Sequence, residues 1–183
     1  MVPFPGWLPP SAVTDLTLLL RGDKPAVRVS VGSRCGDLRR WARRQGLFTS
    51  VDTDGFASIS RDPATARRVI DLDRRPGRHT LALGTMLGYP PCCSRAAARV
   101  GDEGIDRRHA AITKRRFQGR FRAINPSGYA DGSSLISHVP CSPRCLPSLR
   151  IAVGACNRSG VCSPTALFPA HAICHWRVAP CSN

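Results

Sequence analysis

Two short cysteine-bearing motifs contain the residues of this 183-residue chain that are best suited to chemistry. The first is GYPPCCS at 88–94 and the second is HVPCSPRC at 138–145. Each motif places cysteines close to a predicted helix start, where free backbone N–H groups and the helix dipole favour a thiolate. The thiolate is the form of cysteine that binds metals or carries out redox chemistry, so the motifs predict one of these two activities.

The spacing of the cysteines is compatible with a shared metal ion. Cys141 and Cys145 are four residues apart, so on a helix that begins directly after Cys141 we expect them one turn apart and facing the same point. Cys92 and Cys93 are adjacent at a second predicted helix start and diverge by about 100°, so one of them would face that point more directly. His138 would add an imidazole ligand or orient a thiolate.

Convergence of the two helix starts would bring four thiols and one histidine together. This set suits tetrahedral zinc or an iron–sulfur cluster. The CxxxC spacing matches neither a zinc knuckle nor a ferredoxin run, so the metal stays undecided at this point. Two alternatives remain: the cysteines are small apolar core residues, or a thiolate of Cys92 or Cys141 acts directly without a metal.

The two motifs also resemble, in their order and spacing, the GYPxCC and HxPCSxxC motifs of a family of archaeal and bacterial proteins without an established activity. The resemblance covers residues 81–149 of this chain. It implies that the functional residues are Cys92, Cys93, His138, Cys141 and Cys145.

The remaining pattern predicts an α+β fold, with small N-terminal β-hairpins and helices followed by a mainly helical cysteine-motif region. The first predicted hairpin joins 14–20 to 26–31, where valines alternate, and the second joins 48–51 to 56–60 across a turn of the Asp-Thr-Asp-Gly type. Cap and breaker residues predict helices over 37–45, 62–72, 79–86, 92–100 and 106–117. A short strand over 134–139 and a helix starting at Ser142-Pro143 complete the prediction.

The length predicts one domain, residues 1–153, that carries both motifs, with a disordered or atypical C-terminal tail over 154–183. No Asp or Glu follows Asp131, and the tail shows no amphipathic period. Translation outside an ancestral reading frame would produce such a composition. The tail has cysteines and histidines at spacings that fit no zinc template: Cys156, Cys162, His171, Cys174, His175 and Cys181.

The formal net charge of +15 raises the alternative of nucleic-acid binding. The basic residues are dispersed, and nearly all are arginine, so we expect any such binding to be weak. The best segment interleaves aromatic residues with charge, and comprises Lys114, Arg115, Arg116, Phe117, Arg120, Phe121 and Arg122.

The cysteine count and the lack of a signal-peptide or membrane-span pattern predict a cytoplasmic protein that does not associate with membranes. We therefore expect a metal- or iron–sulfur-binding protein with a Cys/His cluster, serving a redox or tailoring enzyme or a structural anchor, with an unknown small-molecule or protein partner. The alternative is a basic nucleic-acid-binding module with structural zinc. The sequence contains no nucleophile elbow, Walker loop or Rossmann fingerprint, so it does not decide whether the chain is an enzyme.

Overall fold

A computed structural model describes residues 3–75, 79–129 and 134–159, and confirms the α+β class. Its sheet contains β1 (Ala26–Ser30), β2 (Phe48–Val51) and β3 (Phe56–Ser60). The helices are α1 (Pro10–Leu20), α2 (Cys35–Arg44), α3 (Pro63–Asp73), α4 (Thr80–Met86), α5 (Pro91–Thr113) and α6 (Leu146–Ser159). Short 3₁₀ turns occupy Gly32–Arg34, Gly119–Ile124 and Pro126–Gly128.

The sheet is antiparallel with β3 at its centre, in the order β1-β3-β2. The hairpin between β2 and β3 forms as predicted, because its turn satisfies its own backbone. Asp52 Oδ1 accepts hydrogen bonds from the backbone N–H groups of Asp54, at 2.9 Å, and Phe56, at 2.8 Å. Gly55 takes the positive φ of 81° that this turn requires.

The first predicted hairpin is wrong, because the segment before β1 is helix α1 and β1 pairs with β3 instead. Ala12, Leu16 and Leu19 are buried at helical spacing, and this period places all three against the sheet. The two threonines of the segment bond back to carbonyls four residues earlier, which is compatible with a helix. A short apolar run alone does not distinguish the two structures.

The hydrophobic residues of α1, the sheet and α2 form the N-terminal core, with Trp41 of α2 at its centre. The indole N–H of Trp41 donates to the carbonyl of Pro3 at 3.0 Å, which satisfies the polar atom of a nearly fully buried side chain. A separate C-terminal core, described with the cysteines below, lies between α5, α6 and the segments around them.

Helix α5 is interrupted at Gly101, near the point where sequence predicts a gap between two helices. Gly101 has φ 65° and ψ 176°, a conformation that is essentially restricted to glycine. The helix therefore consists of two segments with different directions. Earlier in the chain, Asp62 caps helix α3 by accepting from Thr65 N–H at 2.7 Å, as its position before Pro63 predicts.

We expect Gly101→Ala to destabilise the fold by about 1–3 kcal/mol, purely through backbone strain, because an added Cβ would meet no atom within 4 Å. Gly36→Ala in α2 is the matched control, since its φ is not positive and its Cβ would make only an ordinary contact with Arg40. The control should change stability by less than about 1 kcal/mol. Urea unfolding measures both, and equal effects would contradict the assigned conformation.

Two predictions for the second motif are wrong. Residues 134–139 form no strand, and the helix starts at Leu146 instead of Ser142. The Ser142-Pro143 pair forms a turn, while Pro147 occupies the first turn of α6, where a missing N–H costs nothing. Helix α6 also continues to Ser159, beyond the predicted domain boundary at 153. The remainder of the predicted tail lies outside the described residues.

Candidate metal centre

The four cysteines of the two motifs lie together. One ligand atom from each of Cys92, Cys93, Cys141 and Cys145 is within 4.8 Å of all the others. The Sγ atom of Cys145 lies 3.6 Å from that of Cys93 and 3.8 Å from that of Cys92, and the two adjacent sulfurs are 3.9 Å apart. Four sulfurs at these separations can hold a metal ion.

The first pair of cysteines is positioned by the break between α4 and α5. Gly88 ends α4 with a φ of 73°, and a Cβ there would approach Pro25 Cδ to 2.9 Å. Pro91 then begins α5, as predicted, so Cys92 and Cys93 lie in its first turn. Their sulfurs are therefore close to the positive end of the α5 dipole.

The second pair is held by an irregular segment and not by the predicted helix. The backbone N–H of Cys141 donates to the Sγ atom of Cys93 at 3.3 Å, which joins the two motifs directly. Cys145 precedes α6, and its carbonyl accepts from Leu149 N–H at 3.0 Å. Cys145 is therefore the N-cap residue of α6, so the starts of two helices converge on the cysteine group.

His138 lies beside the group and contacts it through Ser148. The Nε2 atom of His138 is 2.8 Å from Ser148 Oγ, and the Ser148 hydroxyl donates to Cys145 Sγ at 3.2 Å. Because the only hydroxyl proton points to the sulfur, the serine oxygen accepts from an Nε2–H of His138. Burial, and secondarily the Lys24 ammonium, lower the His138 pKa to about 3, so the ring is neutral.

Ser148 is a contact of the cysteine group that the sequence analysis did not identify. It is fully buried and also lies 3.3 Å from Cys93 Sγ, so it touches two of the four cysteines. Its position three residues after Cys145, one helical turn further along, is the signal that would have indicated it. Contacts of this kind orient metal-binding side chains.

The thiols differ in their acidity. A hydrogen bond from Cys93, supported by the hydroxyl and N–H of Ser148, lowers the pKa of Cys145 to about 4. The same hydrogen bond, with burial, raises the Cys93 pKa far above its usual range. Burial and contact with Cys145 raise the Cys141 pKa to about 11. Among these three thiols, Cys145 therefore loses its proton most readily, and its thiolate would provide a negative charge that attracts a cation.

The cysteine group is part of the C-terminal core. Cys93 and Cys145 are each only 3% exposed, whereas Cys92 and Cys141 are half-buried. The buried apolar residues that pack around them are Ile112, Phe117, Ala123, Ile124, Ile136, Leu149 and Ala152. Sulfur ligation at this place would thus fix the centre of a core and not a surface loop.

The basic segment predicted as a nucleic-acid site is only partly available. Lys114, Arg115 and Arg116 are exposed, and so is Arg122. Phe117, however, is 7% exposed and belongs to the core, and the half-buried Phe121 packs against the same core with Arg120 over its ring. Core packing therefore explains the presence of Phe117 among the basic residues, which had suggested base stacking.

Among the cysteines whose side chains the structure describes, only Cys35 lies apart from this group. Cys35, at the start of α2, is half-buried, and its Sγ atom lies 3.2 Å from the Gly32 carbonyl oxygen. Cys156 lies in α6, in the part of the helix where only the backbone is described. The three later cysteines and the two histidines of the tail lie outside the described residues.

Comparison of the chain with protein-family profiles, with curated proteins and with solved structures gives no match. Among the helices of the described ranges, none is long and apolar enough to cross a membrane. The class of this protein therefore follows from its own geometry: it is an α+β protein with a four-cysteine group that can hold a metal ion.

Proposed function

We propose that this chain is a zinc protein in which Cys92, Cys93, Cys141 and Cys145 bind one ion. The sulfur–sulfur distances of 3.6–3.9 Å carry the proposal. Two thiolates that share a tetrahedral zinc, each with a Zn–S bond of about 2.3 Å, lie about 3.8 Å apart. The three distances among Cys92, Cys93 and Cys145 match that edge, and the Cys141 sulfur lies within 4.8 Å of all three. A set of four thiolates leaves the ion a closed coordination shell.

The same distances disfavour an iron–sulfur cluster. In a cubane cluster each thiolate binds a different iron at a different corner, so the body of the cluster separates the four sulfurs. The thiolate sulfurs around a cluster are therefore much farther apart than two sulfurs that bind the same ion. The four cysteine sulfurs here all lie within 4.8 Å of one another. A single ion therefore fits better than a cluster.

The proposed role of zinc is structural. All four ligand positions belong to cysteine, so no open position remains for a substrate or an activated water, as a catalytic zinc requires. The ion would connect the start of α5 to the start of α6 and to the irregular segment between them, at the centre of the C-terminal core. His138 and Ser148 would orient the Cys145 sulfur without binding the ion.

Elemental analysis and an absorption spectrum of protein purified without oxygen test the proposal. We expect one zinc ion per chain and no visible absorption band. Stoichiometric iron with a brown chromophore would contradict it in favour of a cluster. Protein that folds cooperatively with no bound metal would instead support free core thiols.

A second candidate function is phosphate-backbone binding by the exposed side chains of Lys114, Arg115 and Arg116. The observation that favours it is charge: no Asp or Glu occurs between Asp106 and Asp131, and the three side chains are exposed. Contacts of this kind give affinity without base recognition, so binding should be weak and strongly salt-dependent.

Neutralising Lys114, Arg115 and Arg116 to glutamine should therefore reduce affinity for a single-stranded oligonucleotide at least tenfold at low salt and lower the salt slope. Neutralising Arg39, Arg43 and Arg44 on the exposed face of α2 is the control, because it removes the same charge from another surface. Equal losses in a fluorescence-anisotropy titration would mean that only net charge matters. Binding that survives high salt would show a different interface.

A further inference from the structure

A cavity of about 520 Å³ lies beside the cysteine group. Residues of β1, α3, α4 and the two segments of α5 form its wall. Its wall contains Ser94 of the first segment and Arg108 of the second, and the break at Gly101 separates these two segments. Tyr89 and Tyr129 contribute aromatic surface, and His138 and Cys93 of the cysteine group also line the wall. The volume is typical of a small-molecule site.

Two hydrogen-bond donors on this wall lack partners. Ser94 is 3% exposed, and its Oγ atom makes no hydrogen bond to any described residue. Arg108 donates through Nη2 to the Pro140 carbonyl at 3.1 Å, but its buried Nε–H has no partner. Buried donors without acceptors are unfavourable and uncommon, so a pair of them on one cavity wall indicates a missing acceptor.

The charges around the cavity leave one cation uncompensated. Arg28 is paired with Asp73, with 2.6 Å between Nε and Oδ2. Arg75 and Asp106 also border the cavity, but both are exposed to solvent and opposite in sign. Arg108 is half-buried and makes no ion pair within the described ranges. The missing acceptor should therefore carry a single negative charge.

The remaining wall is apolar or neutral. Leucine, alanine, isoleucine and valine side chains line it, namely Leu72, Leu83, Leu87, Ala97, Ile105 and Val139. Burial raises the pKa of both Tyr89 and Tyr129, so their hydroxyls stay protonated at neutral pH. A ligand that matches this wall has an apolar body and one anionic end.

We infer that this cavity binds a small monocarboxylic acid with an aromatic or aliphatic body, whose carboxylate accepts from Ser94 Oγ–H and Arg108 Nε–H. A phosphate ester fits less well, because it brings a second charge and the cavity offers one free guanidinium. The long helices that start nearby, α5 and α6, direct their N-termini to the cysteines, so neither start supplies a phosphate site. The inference goes beyond the proposed zinc site and does not require it.

The test is a titration of the full chain, with its metal content measured, by two-dimensional amide NMR with benzoate, hexanoate, neutral benzamide and inorganic phosphate as probes. We expect benzoate or hexanoate to give saturable shifts at Ser94, Arg108 and Tyr129. Benzamide should bind about tenfold more weakly or less, since it lacks the charge, and phosphate should give no saturable shift there. Ser94→Ala and Arg108→Gln should each weaken carboxylate binding about tenfold.

Ser58→Ala is the matched control, because Ser58 on β3 is also fully buried with an unpartnered Oγ but does not line the cavity. Both serine variants should melt at or above the wild-type temperature, since each removes an unpartnered buried hydroxyl, but only Ser94→Ala should lose affinity. Equal binding of benzoate and benzamide, unchanged affinity in both cavity variants, or no saturable shift with either carboxylate would overturn the inference. None of these outcomes alters the zinc content, so failure here is distinguishable from failure of the zinc site.

Discussion

Replacing Cys145 with serine should abolish metal binding and lower the free energy of unfolding by more than about 4 kcal/mol. Cys145 contacts the sulfurs of both Cys92 and Cys93, so its loss removes a ligand from the centre of the group, while serine keeps the backbone cap of α6. The remaining thiols would then occupy an apolar core without the ion that neutralises them. Elemental analysis and urea unfolding measure the two effects on the same sample.

The matched control is Cys35→Ser, because Cys35 is half-buried but lies apart from the group. We expect it to keep its metal and to change stability by less than about 1 kcal/mol. A chain that ends at Ser159 should also keep its metal, since the cysteines after that residue belong to neither motif. If truncation releases the metal and Cys145→Ser retains it, the ligands lie in the tail and the assignment is reversed.

Replacing Lys24 with methionine should destabilise the fold by about 3–5 kcal/mol. Lys24 and Asp15 are 5% and 4% exposed, and their charged atoms lie 2.8 Å apart. The lysine Nζ also donates to Ser137 Oγ at 2.7 Å and lies 5.2 Å from the centre of the Tyr89 ring. Its removal would leave the Asp15 carboxylate buried without a partner, and would remove the hydrogen bond to Ser137, directly before the second cysteine motif.

The double variant Lys24→Met with Asp15→Leu separates the two contributions. Because an apolar pair of similar volume can replace a buried ion pair at little cost, the double variant should be more stable than Lys24→Met alone. Arg40→Met, which breaks the exposed ion pair with Asp37 in α2, should cost less than about 1 kcal/mol. A loss of that small size at Lys24 would show that its charge is hydrated and not buried.

Local chemistry explains the parts of the fold that the sequence predicts well. The turn at Asp52 and Gly55 satisfies its own hydrogen bonds, and Asp62 with Pro63 starts a helix by capping. Gly88 likewise ends one helix, and Pro91 begins the next. Each of these features depends on residues adjacent in sequence, so no distant contact was needed to predict them.

The features that sequence reasoning predicted wrongly depend on contacts between distant residues. The apolar run of α1 fits a strand or a helix, and only packing against the sheet distinguishes them. The second motif and the residues after it offer two possible helix starts that contain proline, at Ser142-Pro143 and at Leu146-Pro147. The hydrogen bond from Cys141 N–H to the Cys93 sulfur holds the segment before Leu146 irregular, which favours the later start. The burial of Lys24 had no signal at all, since a lysine between aspartate and proline, just after a glycine, is typical of an exposed turn.

The candidate site contains both features that the sequence predicts and features that depend on distant contacts. The two motifs indicated the four cysteines, because thiols near helix starts are chemically distinctive. The placement of His138 against Ser148 could not be predicted, since a histidine three residues before a cysteine is equally compatible with ligation and with a hydrogen bond to a neighbour. Only the three-dimensional position of Ser148, between the imidazole and the Cys145 sulfur, distinguishes the two roles.

X-ray absorption at the zinc edge, on protein purified without oxygen, tests the central claim most directly. One ion held by Cys92, Cys93, Cys141 and Cys145 predicts four sulfur neighbours at about 2.3 Å, with no nitrogen ligand and no second metal nearby. A nitrogen in the first shell would place His138 among the ligands. Metal–metal scattering at an iron edge would show a cluster, and either result would contradict a closed four-cysteine zinc site.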